Sequence, residues 1–293
     1  MVIVDQGLER HQLRVQLRQY RERSGLSQRE VAQGLGWSAS KVHRIEAGIS
    51  PITEADLRSL LARYSSAAEN EVAQLLLLAR AARQNRIAPL REPGPPSVRQ
   101  YLDYEAAAGQ IWNFEPMFVP GLLQTPDYTR ALLSQIGLRR TEDDAIDRIL
   151  TTRRYRQEIL HRTPPVHLHV LIDESAIERQ IGGATVMANQ LEHLWAMSER
   201  TNVFLGIVPL TRGAYPAMRS PFVVLQFNEP KHPELLFLED PITEVVTLGD
   251  DATGDGPTAY REVFARIWKQ ASVGRDAAER LRTAWRNASQ AAC

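Results

Sequence analysis

The sequence has almost no cysteine: the only one is Cys293. That excludes an internal disulfide framework and any cysteine-rich zinc site. It also lacks long hydrophobic runs. None approaches the roughly 18 residues that a membrane-spanning helix requires. The opening MVIVDQGLERHQ has no basic start followed by an apolar stretch, so no signal peptide and a cytoplasmic location are expected. Gly-x-Gly-x-x-Gly and Gly-Lys-Thr phosphate loops are missing, which leaves nucleotide chemistry without support. Lysine is scarce. Only Lys41, Lys231 and Lys269 occur among 35 basic residues, the rest being arginine. Arginine binds phosphate well, but the bias runs through the whole chain and reads as codon usage of a GC-rich genome.

What remains is an ordinary globular composition. Of 293 residues, 43% are hydrophobic and 24% charged, and two domains fit the length. Basic and acidic residues balance at 35 each, but unevenly. Residues 1–90 carry 13 basic and 9 acidic residues, whereas residues 91–293 carry 22 and 26. A positive small half beside a negative large half suits a nucleic-acid-binding head on a body that avoids phosphate.

Residues 10–86 read as compact helices. Pro89, Pro93, Gly94, Pro95 and Pro96 then stiffen an exposed segment. The expected domains are a head over 1–88 and a body over 98–293. In the body, residues 98–161 read as helical, interrupted near FEPMFVPGLLQTP. Strands are expected at 166–172, 202–209, 222–227, 235–239 and 242–248. Helices are expected at 173–181, 184–200, 257–272 and 274–288. The later strands have connections too short for crossover helices and are expected to be antiparallel. The gap from 172 to 202 allows one β-α-β crossover. The fold class is therefore α+β: an all-α helix-turn-helix head, then a mixed, mainly antiparallel sheet with flanking helices.

The strongest signal is SGLSQREVAQGLGWSASKVHRIEAG, residues 24–48. Ser27 with Glu30 three residues on makes a capping box. Val31 and Leu35 form an apolar stripe, and Ala32 lets a second helix approach. Gly36 is where the chain must turn, in a left-handed conformation. Ser38 caps the next helix, whose inward stripe is Val42 and Ile45. This is helix-turn-helix spacing, which puts the second helix in the major groove of DNA. Ser38, Ala39, Ser40, Lys41, His43 and Arg44 face outward, polar or small, with two fixed cations. A bundle without a DNA role is the alternative, and this exposed face argues against it. Arg44 matches the two acceptors of guanine, a phosphate contact being its other reading. His43 is read as a phosphate or solvent residue, and Trp37 as packing on the domain.

Over residues 10–64 the chain resembles the xenobiotic-response-element, or Cro/repressor-like, family of repressors. The Leu-Ser-Gln opening, the Ala and Gly four apart and the closing Ile-Glu-Ala-Gly carry the likeness. It implies a structural pair between Arg21 and Glu46, and a Gln28 that contacts phosphate or braces the recognition helix. The body phrases NFEPMFVPGLLQTPDYTRALL, RRYRQEIL, LIDESAIERQIGG, NQLEHL and VFLGIVPLTRG resemble the antitoxin-like C-terminal domain of actinobacterial helix-turn-helix regulators. That likeness implies a small partner protein and assigns no catalytic residue.

Several motifs of the body admit both a chemical and a plain structural role. VPGLLQTPDY reads as a turn at Pro120-Gly121 and a helix capped by Thr125, with a docking loop as the alternative. Asp173 and Glu174 read as helix caps. His161, His167 and His169 form a three-histidine set only if they converge. DATGDGPTAYRE (251–262) has calcium-loop spacing but follows a strand, so an acidic loop with Asp255 or Thr258 as cap is favoured. No nucleophile–base pair emerges. The expectation is a transcriptional regulator and not an enzyme, without metal or cofactor. Its expected partners are a double-stranded, palindromic DNA operator, a second copy of itself and a small partner protein. The alternative is a body that senses a small molecule.

Overall fold

The computed structural model of the chain describes residues 6–46, 52–64, 69–83, 96–136, 143–228, 232–239, 244–250 and 256–292. The chain divides into two compact units, Met1–Pro89 and Leu90–Cys293.

The head comprises α1 (Gln6–Arg23), α2 (Gln28–Leu35), α3 (Ala39–Glu46), α4 (Glu54–Tyr64) and α5 (Glu69–Arg83). Local chemistry sets their ends. The Ser27 hydroxyl accepts from Glu30 N–H while the Glu30 carboxylate accepts from Ser27 N–H at 2.8 Å, satisfying two orphan donors at once. α2 stops at Gly36, whose φ of 66° is left-handed and strains any residue carrying a Cβ. Ser38 Oγ accepts from Lys41 N–H at 3.1 Å to open α3, and Thr53 Oγ1 accepts from Asp56 N–H at 2.9 Å to open α4. Leu17, Val31, Val42, Ile45, Leu57, Leu60 and Tyr64 are buried in one core.

The body begins with α6 (Pro96–Ala107), which runs straight into β1 (Ala108–Glu115). This corrects the expectation that residues 98–161 are helical apart from the interruption near FEPMFVPGLLQTP. β1 pairs with strands starting more than fifty residues away on one side and a hundred on the other. Its neighbours therefore select the extended form, which is typical of β preference. A 3-10 turn at Gly121–Leu123, α7 (Pro126–Ile136) and α8 (Asp143–Gln157) lead to β2 (His167–Asp173). Next come α9 (Glu174–Glu178), α10 (Ala184–Ser198), β3 (Val203–Val208), β4 (Phe222–Phe227), β5 (Leu235–Glu239) and β6 (Glu244–Leu248). α11 (Pro257–Trp268), β7 (Ser272–Val273) and α12 (Arg275–Ala292) complete the unit.

The sheet order is β6-β5-β4-β1-β2-β3-β7. β1, β2 and β3 are parallel. β4, β5 and β6 continue antiparallel on one side, and β7 is antiparallel to β3 on the other. The sheet thus holds two crossovers where one was expected, because β1 makes the segment from 115 to 167 a connection between parallel strands. α11 packs Phe264 and Ile267 against Phe114, Leu171, Phe222 and Val224.

Candidate nucleic-acid interface

The recognition helix α3 buries Val42, Ile45 and Glu46, while Ser38, Ala39, Ser40, His43 and Arg44 are exposed. At 3.6 residues per turn, Val42 with Ile45 and Glu46 form one row. The exposed residues then share the opposite face.

What holds this helix is a carboxylate. The Glu46 side chain is only 3% exposed, and Arg21 Nε donates to it at 2.8 Å from a side chain 12% exposed. Gln28 Nε2 donates to the other oxygen at 2.7 Å, and Tyr64 O–H donates at 3.3 Å. Arg21 also donates to the Leu26 carbonyl at 2.9 Å. One acidic side chain therefore ties α1, α2 and α4 to the end of α3. Of the two roles open to Gln28, this contact is the brace. Burial first, and the Glu46 charge second, push the Tyr64 hydroxyl well above the ordinary tyrosine range, so it stays a donor. Tyr64 was not singled out in the sequence. Its signal was an aromatic residue at the end of an amphipathic helix.

The two cations of the motif stand differently. Arg44 and His43 have no hydrogen-bond or ionic partner among the described residues. Lys41 Nζ lies 2.8 Å from Asp56 Oδ1 and 3.7 Å from the centre of the Trp37 ring. Trp37 itself packs against the head core. Asp56 carried no sequence signal beyond its place in the first turn of α4. Ala47 and Gly48, which close the motif, lie outside the described residues.

In the body, the residues weighed for chemistry have structural partners. Asp173 accepts from Ser175 N–H at 2.9 Å, capping α9, and from the Tyr215 hydroxyl at 2.5 Å. Glu174 accepts from Leu210 N–H at 2.8 Å and from Arg280. His161, His167 and His169 do not converge. His169 stacks between Trp112 and Phe204, at 5.5 and 4.7 Å. No group of three or more metal-ligating side chains occurs among the described residues. Residues 251–255 of the acidic loop lie outside them. Where that loop enters α11, the N-cap is Gly256, and Thr258 N–H donates to Asp250 Oδ1 at 3.0 Å, so Thr258 is not the cap. The PGLLQTP segment buries Leu122, Leu123 and Gln124. Gln124 Nε2 donates to Val119 O, while Gln190 donates to Leu123 O and accepts from Thr125 N–H.

A helix-turn-helix domain matches residues 12–75. With its exposed recognition face, it makes the chain a helix-turn-helix DNA-binding regulator. The larger part, residues 98–283, matches the family described as Domain of unknown function (DUF5753), and the chain belongs to that family. No curated protein and no solved structure matches. No helix among the described residues is long and apolar enough to cross a membrane.

Proposed function

We propose that this protein is a sequence-specific transcriptional regulator of the xenobiotic-response-element type, acting in the cytoplasm and without enzymatic activity. Its head reads a palindromic duplex operator. Its body joins two copies and holds a small partner protein in the manner of an antitoxin. The observation that carries the reading is the exposed face of α3. It presents Ser38, Ala39, Ser40, His43 and Arg44 to solvent, while the Glu46 network fixes the helix from behind. Arg44 is the base reader, since a guanidinium meets the two major-groove acceptors of guanine in a bidentate fork. The partner protein follows from the resemblance of the body alone.

The test is selection of bound duplexes from a randomised pool by the full chain. Enrichment of an inverted repeat is expected. On the enriched site, Arg44→Ala should cost about 1–3 kcal/mol and relax preference at one base position per half-site. A pool that emerges without any enriched sequence would overturn sequence-specific reading. An Arg44→Ala protein with unchanged affinity would remove that residue from the readout.

A further inference from the structure

Lys41 stands on the flank of the recognition face, one turn before buried Ile45, where a cation could reach the phosphates bordering the groove. Its charge is already engaged. Its ammonium is 2.8 Å from the Asp56 carboxylate, with side chains 35% and 22% exposed. It also sits 3.7 Å from the centre of the Trp37 ring. A partly buried pair is screened less than one in open solvent, and the aromatic face adds a second attraction. For Lys41 to swing onto a phosphate it would have to leave both partners. It would also leave the Asp56 carboxylate without its ammonium.

We propose that Asp56 limits the sequence-independent part of DNA affinity: by holding Lys41 against Trp37 it withholds one cation from the DNA backbone. Binding then depends less on phosphate and more on the base-facing side chains of α3. This rests on the head binding duplex DNA. The physical consequence is specific. Phosphate contacts supply sequence-independent affinity, and each one steepens the salt dependence. Withholding one cation lowers binding to every sequence alike and leaves contacts to bases untouched. The ratio of operator to random binding is unchanged by it and stays with Arg44 and its neighbours.

Four full-length proteins decide it: wild type, Asp56→Asn, Lys41→Gln and the double variant. The probe is a fluorescein-labelled duplex of mixed sequence, titrated at salt concentrations from about 50 to about 200 mM. One additional neutralised phosphate steepens log K against log salt by about 0.9, or about 3.5-fold more affinity lost across that range. Asp56→Asn should show that steeper slope and bind more tightly at the low-salt end. The double variant should return to the wild-type slope, which separates a freed Lys41 from the mere loss of a negative charge. Lys41→Gln alone should leave the slope unchanged. Equal slopes for wild type and Asp56→Asn overturn the proposal. So does a Lys41→Gln slope shallower by about 0.9, because Lys41 would then already be on phosphate. Failure of the wild-type chain to bind any duplex would instead sink the DNA-binding reading, and this proposal with it.

Discussion

Glu46 shows how much of the head depends on one side chain. Its carboxylate is nearly sealed from water and takes hydrogen bonds from Arg21, Gln28 and Tyr64. A buried pair gains little over a well-packed apolar alternative, but removing one partner leaves an uncompensated charge. Glu46→Ala would take from the Arg21 guanidinium its closest carboxylate and from the Tyr64 hydroxyl an acceptor. The expected loss is about 3–5 kcal/mol, read as a lower melting temperature with DNA binding lost through unfolding. A normal melt with lost binding would move the glutamate to the interface itself. The likeness to repressors pointed to this pair. It also offered bracing as one of two roles for Gln28, whereas the share of Tyr64 was not legible, because hydrogen-bond partners from separate helices are not adjacent in sequence.

At the scale of elements, the ladder across β1, β2 and β3 is the clearest case of register making an interaction. Trp112, His169 and Phe204 occupy paired positions on adjacent parallel strands, and their rings stack nearly parallel, at 11°. Aromatic cross-strand neighbours of this kind stabilise a sheet. The stack has a consequence for pH. Burial first, then the nearby His167 charge, lowers the His169 pKa. His193 is lowered in the same way, by burial and then by His161. A folded-state pKa below the unfolded one means that the unfolded chain takes up the proton first. The stabilising effect is therefore complete above the ordinary histidine range and is lost as pH falls through it. Between about pH 8 and about pH 5 the melting temperature of the body should fall. His169→Phe, which keeps a ring in the stack, should fall less steeply, with His193 still titrating. An identical fall in both proteins would mean that His169 is no part of the pH dependence.

At the scale of the molecule, one head per chain with a small basic excess is expected to make few phosphate contacts, and so alone to bind weakly and be sensitive to salt. Two heads joined by their bodies would sit about 34–36 Å apart on a palindrome. The second then engages at high effective concentration. Among Trp112, Phe118, Trp268 and Trp285, only Trp285 on α12 is exposed, at 39%, and so open to such an interface. Trp112 and Trp268 pack partly into the body core. Sedimentation of the full chain and of a 1–90 fragment, each with operator binding, should show a dimer with tight binding only for the full chain. A fragment equally dimeric and equally tight would take dimerisation away from the body.

The sequence alone determined the head: helix ends there are set by Ser27, Glu30, Gly36 and Ser38, whose effects reach only three or four residues, and the inward stripe repeats every turn. It also determined the strands of the antiparallel half, where short connections forced neighbours together. Tertiary structure decided the rest. β1 is a strand because β2 and β4 flank it, and nothing within its own eight residues could announce partners so distant along the chain. The same holds for Lys41. Its type and spacing marked it as a cation for DNA, and only the packing of α4 against the motif set Asp56 beside it. Local signals are read within a turn of helix, whereas pairing across the fold depends on which distant residues the core brings into contact.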